Sequence, residues 1–188
     1  MKVCIFGGSF NPIHCGHLAL ARTVVAQHLA DEVWLMVSPQ NPLKANNDLW
    51  DETYRLALAR CATADIDSVV VSDFEFHLPR PSYTYDTLCA LRAAYPQHTF
   101  TLLTGADNWA IFDRWRAHEA IRREFGLIIY PRPDYPIDTA ALPEHVTLLD
   151  APLYAISSTT IRQRLSLGED ISTMVPASIL PLLHNRRE

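Results

Sequence analysis

Between Gly7 and His17 the chain reads GGSFNPIHCGH, a stretch that holds three of the six glycines and two of the eight histidines in 188 residues. Glycine lets a backbone come close to a ligand, and a helix that begins there presents unpaired N–H groups and the positive end of its dipole. The chemistry that suits both is the holding of an anion such as a phosphate. His14 and His17 are three apart, so their rings project from one face of that helix start. The spacing is neither GxxxxGK[ST] nor GxGxxG. No HExxH and no neighbouring carboxylate marks the pair as metal ligands, so no metal site is assigned to protein side chains. By itself such a pair also has a plain structural reading.

A second candidate lies near the other end, in AISSTTIRQRL from Ala155 to Leu165. Ser157 or Ser158 can cap a helix start, and Arg162 then sits about one turn in, where a guanidinium can fold back toward an anion. Alone, this is also what a capped surface helix looks like. Two helix starts suited to an anion in one sheet protein point toward a nucleotide.

The elements that must position these residues follow from periodicity. KVCIF is an apolar run that ends at Gly7, LALARTVVAQHLA repeats its apolar positions at helical spacing, and VWLMVS is a second strand. Such a unit is parallel with a right-handed crossover. The alternation continues with helices over 51–62 and 85–94, strands at SVVVS and TFTLLT, a helix in the 108–124 region, and strands at GLIIYP and VTLLDA. SILPLLHNRRE reads as a short closing helix at Pro181. Strands that are nearly all apolar are buried on both faces, which predicts a doubly wound α/β fold around a parallel sheet. Two Pro-, Asn- and Asp-rich stretches, 38–50 and 131–143, are long for connections and suit binding loops.

Composition bounds the rest. Hydrophobic residues make up 48% and charged residues 20%, so one domain over 1–188 is expected. A formal charge of −5 argues against a general nucleic-acid partner. No apolar run has the length of a membrane span and no signal segment is visible, so the expected location is cytoplasmic. Cys4, Cys15, Cys61 and Cys89 are widely spaced and expected to be free thiols, with Cys4 and Cys89 buried.

Joined in this order, GGSFNPIHCGH resembles the nucleotidyltransferase signature with core HxGH, here His14, Gly16 and His17, and AISSTTIRQRL resembles its partner ISSTxIR. The segments between are similar to those of bacterial-type nicotinate-nucleotide adenylyltransferases: SPQNPLK to the lysine loop, LPRPSYTYDTL to the PSYT segment, and LLTGADNWAIFDRW to the G-x-D loop and its tryptophan. The similarity spans essentially the whole chain. It departs at two positions, with Leu43 where a histidine usually precedes Lys44, and Asn11 where Asp often stands.

The resemblance implies a Rossmann-like nucleotidyltransferase fold and transfer of the adenylyl group of ATP to nicotinic acid mononucleotide, with Mg²⁺ entering on the ATP phosphates. It implies His14, His17, Lys44 and Arg162 as the catalytic set. Gly8, Ser9, Phe10, Gly105, Asp107, Ser157 and Ser158 join His14, His17 and Arg162 around ATP. Lys44, Tyr83, Thr84 and Trp115 fall to the mononucleotide. For Asp107 a ribose hydroxyl, a metal-bound water and a helix cap all remain open. Taken bare, Trp109, Phe112 and Trp115 are spaced like the core stripe of one helix, and only the resemblance singles out Trp115. Two other readings stay open: a related adenylyltransferase with nicotinamide mononucleotide or another phosphate acceptor, and a binding module without catalysis. Oligomeric state is not legible.

Overall fold

The computed structural model describes residues 1–39 and 49–185. Six strands form one parallel sheet in the order β3-β2-β1-β4-β5-β6. They are β1 (Lys2–Gly8), β2 (Glu32–Val37), β3 (Val69–Ser72), β4 (Thr99–Gly105), β5 (Leu127–Tyr130) and β6 (Val146–Leu148). The helices are α1 (Cys15–Ala26), α2 (Glu52–Thr63), α3 (Thr84–Ala94), α4 (Ala106–Trp109), α5 (His118–Glu124), α6 (Ser158–Leu167) and α7 (Leu180–His184). The doubly wound arrangement agrees with the sequence expectation. Among the described residues no helix is long and apolar enough to cross a membrane.

The period of two along each strand sends alternate side chains to opposite cores. Cys4, Phe6, Val33 and Leu35 pack with Leu20, Val24, Leu58 and Ile161 from α1, α2 and α6. Val3, Ile5, Trp34 and Met36 pack with Leu88, Leu91 and Ile121 from α3 and α5. Because all strands are parallel, their carboxyl ends share one edge, and the order reverses between β1 and β4. Open sheets of this type form a ligand crevice at such a reversal.

Three details differ from the sequence expectation. The region expected as one helix over 108–124 is α4, a single 3₁₀ turn over Phe112–Arg114, and α5, with Ala117 left-handed at φ 56° before α5. Trp115 is extended there, so the aromatic spacing belongs to a turn and not to a helical stripe. Gly7 and Gly8 lie inside β1, and the chain turns at Phe10, which adopts φ 43°. Cys89 is half-buried where a buried position was expected, while Cys4 is buried and all four cysteines are free.

Candidate active site

The glycine-rich stretch runs off the carboxyl end of β1 and into α1. His14 occupies the N-cap with extended backbone, and its N–H donates to Nδ1 of His17 at 3.2 Å. This is half of a capping box with histidine in the place usual for Glu or Gln. The rings stack with centroids 3.6 Å apart and planes at 21°. Gly16 makes this possible, since a Cβ there would lie 3.1 Å from Nδ1 of His14. Phe10 and Phe6 meet His17 edge-on, at 5.0 and 5.8 Å. Because Nδ1 of His17 accepts a hydrogen bond, the neutral ring carries its proton on Nε2.

His14 is buried, and its Nδ1 has no hydrogen-bond partner. Burial, assisted by the positive charge of Arg132, lowers its pKa to about 4. Arg132, in the loop after β5, has Nε 3.5 Å from Oδ1 of Asp107 and donates from Nη2 to the Tyr130 hydroxyl at 3.2 Å. Gly105 ends β4, and a side chain there would collide with the Asp107 carboxylate and the Tyr130 ring. The ends of β4 and β5 thus bring Gly105, Asp107, Tyr130 and Arg132 beside the histidines.

The second motif closes on the first. Ser157 caps α6 by accepting from the Thr160 N–H at 3.1 Å. Ser158 does not cap; its hydroxyl donates to the Pro12 carbonyl at 2.9 Å. Arg162 donates from Nη1 to the Asn11 carbonyl at 2.9 Å, and its other N–H groups meet no acceptor among the described residues. A guanidinium has five N–H donors in a fork, so four remain for an anion placed between the two helix starts.

On the other side of the glycine-rich stretch lies a cavity of about 230 Å³. Gly7, Gly8 and Ser9 form one wall, and Tyr83, Thr84 and Trp115 another. The Arg116 guanidinium sits 5.1 Å from the Tyr83 ring centre and pairs with Asp86 at 2.8 Å, which fixes that rim. The Trp115 indole N–H and the Ser82 hydroxyl are buried without partners. Glu75 also lines the cavity, accepting from the Thr87 hydroxyl at 2.9 Å, and burial pushes its pKa up. Neither His14, His17, Ser157 nor Arg162 lines this cavity. The site therefore has two halves, one on each side of the stretch from Gly7 to Phe10.

A family model described as cytidylyltransferase-like matches residues 5–164. A probable nicotinate-nucleotide adenylyltransferase of Bacteroides thetaiotaomicron is 52% identical over 171 residues, covering 91% of this chain and 85% of the relative. The chain belongs to the nicotinate-nucleotide adenylyltransferases of the cytidylyltransferase-like family. A second such adenylyltransferase, a probable one from Cytophaga hutchinsonii, is 42% identical with 100% of this chain and 97% of the relative covered. In fold, the chain is similar to the Plasmodium falciparum nicotinic acid mononucleotide adenylyltransferase complexed with NaAD. The TM-score is 0.81 at 23% identity, and the match covers 98% of this chain and 93% of that one.

Of the residues expected from sequence for this adenylyltransferase, His14, His17, Phe10, Ser157, Ser158, Arg162, Gly105 and Asp107 gather on the α1–α6 side of the sheet edge. Gly8, Ser9, Tyr83, Thr84 and Trp115 meet at the cavity. Lys44 and Leu43 lie outside the described residues. Sequence reasoning passed over Arg55, Glu75 and Arg132. Only Arg132 had a signal, its place in a loop too long for a simple connection.

Proposed function

We propose that this protein joins the phosphate of nicotinic acid mononucleotide to the α-phosphorus of ATP, giving nicotinic acid adenine dinucleotide and pyrophosphate in NAD biosynthesis. The observation that carries the reading is the facing of two helix N-termini, His14–His17 on α1 and Ser157 with Arg162 on α6, across a glycine-rich stretch from an aromatic cavity. An oxygen of the mononucleotide phosphate attacks the α-phosphorus, the bond to the bridging oxygen breaks, and pyrophosphate leaves with that electron pair. The attacking phosphate is ionised at neutral pH, so no general base is needed. Positioning and charge neutralisation supply the acceleration.

Each residue then has a task. The His17 Nε2–H donates to the α-phosphate as negative charge builds there, and neutral His14 lies along the triphosphate. Arg162, with the α6 N-terminus and the hydroxyls of Ser157 and Ser158, holds the β- and γ-phosphates. Gly8, Ser9 and Phe10 shape the path between the halves, and Gly105 and Asp107 take the adenosine side. Trp115 stacks on the pyridine ring while Tyr83 and Thr84 border it, and Lys44 neutralises phosphate charge. Mg²⁺ would arrive with ATP and would supply charge neutralisation on its phosphates, with no protein side chain assigned to it. The reaction is cytoplasmic.

The deciding experiment mixes ATP separately with nicotinic acid mononucleotide and nicotinamide mononucleotide, and follows pyrophosphate and dinucleotide. Efficient formation of the acid dinucleotide is expected. Turnover with the amide alone, or with neither, sinks the reading.

A further inference from the structure

Arg55 is fully buried in α2, among Leu56, Leu58 and Ala59. The Asp51 carbonyl accepts from its backbone N–H at 3.0 Å, and the carboxylates of Asp51 and Glu52 reach its guanidinium through charge, with no ion pair to it among the described residues. Among the described residues, the acceptors of its guanidinium are four backbone carbonyls. Nε donates to Trp50 at 2.9 Å. Nη1 donates to Ser9 at 2.5 Å and Ser38 at 2.8 Å, and Nη2 to Pro39 at 3.2 Å. These carbonyls belong to segments leaving β1, leaving β2 and entering α2. From Trp50 the connection continues: its N–H donates to the Asn11 side chain at 3.1 Å, and the Asn11 carbonyl accepts from Arg162 at 2.9 Å.

Burying a guanidinium costs desolvation, and an apolar side chain would seal α2 against the sheet as well. What the planar fork does that a hydrocarbon cannot is fix several chain segments at once. Ser9 and Ser38 are both walls of the cavity, and Asn11 carries Arg162.

We infer that Arg55 is a positioning residue for adenylyl transfer: through Ser9, Ser38 and the Trp50–Asn11 link it holds the glycine-rich stretch, the cavity wall and Arg162 in one register. This rests on the adenylyl-transfer reading above. A residue in that role sets turnover per folded molecule as well as stability, because small displacements of reacting groups are felt strongly in the rate.

Arg55→Lys keeps the charge but loses the fork, and Arg55→Gln removes the charge. Both are compared with wild type by thermal melting, by kcat and KM for ATP and the mononucleotide, and by calorimetric affinity for a non-hydrolysable ATP analogue. Only protein folded at the assay temperature is used. The folded variants are expected to lose kcat by about tenfold or more, a larger change than in either KM, and to bind the analogue about threefold more weakly. A folded Arg55 variant that melts lower yet keeps kcat within about twofold of wild type overturns the inference. Should neither Arg55 variant fold, Asn11→Ala decides, since it removes the Trp50 acceptor and leaves the guanidinium. A fall in kcat of about threefold or more supports the link, and unchanged kinetics overturn it. A wild type that forms no dinucleotide would defeat the adenylyl-transfer reading instead. Analogue affinity equal in variants and wild type would then overturn the positioning role separately.

Discussion

The backbone N–H of His14 donates to Nδ1 of His17 at 3.2 Å while the two rings stack at 3.6 Å. One contact thus caps α1 and fixes the tautomer of His17. The two roles are separable, because a glutamine at this position can still accept from the N-cap N–H.

His17→Gln is expected to melt close to wild type and to lose turnover by on the order of a hundredfold, the scale for removal of one preorganised transition-state donor. His17→Ala should lose the turnover and some stability together. Circular dichroism melts beside kcat measurements check both, and near-normal kcat in folded His17→Gln would remove His17 from the chemistry.

His14 makes stability depend on pH. Its pKa in the fold, about 4, lies below the ordinary histidine value of 6.5, so the unfolded chain binds the extra proton more readily. Stability therefore rises with pH between about 4 and 6.5 and falls as the solution is acidified through that window, by up to about 3 kcal/mol. Arg132→Met removes the second cause of the depression and should move the His14 titration upward, as followed by imidazole NMR. A titration that stays in place would show that burial alone sets it.

Arg162 is tied to the Asn11 carbonyl and is proposed above as a phosphate ligand. Arg162→Lys retains charge but not the fork, and it should raise KM for ATP and lower kcat, approaching Arg162→Ala. Steady-state kinetics with ATP varied decide this, and full activity in the lysine variant would reduce the interaction to simple charge.

Choice between acid and amide should vary with Glu75, whose carboxyl shares the cavity with Tyr83, Thr84 and Trp115. Burial raises its pKa and favours the neutral form, which does not repel a nicotinate carboxylate. As pH rises and Glu75 ionises, the acid-over-amide ratio of kcat/KM should fall, and Glu75→Gln should flatten that dependence. The ratio measured across pH for both proteins tests it, and identical profiles would refute it. Trp115→Ala should chiefly raise KM for the mononucleotide.

The sheet was readable because apolar runs at β1, β2, β4 and β5 have no competing pattern, and the start of α6 carries a capping serine, Ser157. The segment after β4 misleads for a physical reason. Trp109, Phe112 and Trp115 recur every three residues, a spacing that a 3₁₀ turn satisfies as well as an α-helix. Only packing, with Trp109 stacked on Phe112 at 5.3 Å and Trp115 turned toward the cavity, selects the turn. Arg55 was illegible because hydropathy places an arginine outside, and its carbonyl partners at Ser9, Ser38 and Pro39 come from distant chain.

The contacts from Ser158 to Pro12 and from Arg162 to Asn11 span 146 and 151 residues. During synthesis, the loop after β1 therefore leaves the ribosome long before its partners exist. Contacts of such long range close late, after the sheet that brings them together. A chain halted before α6 could assemble most of the sheet and still lack half of the proposed anion site. Competence for ATP would then report that the last helix has docked, which makes ligand binding a measure of completed folding.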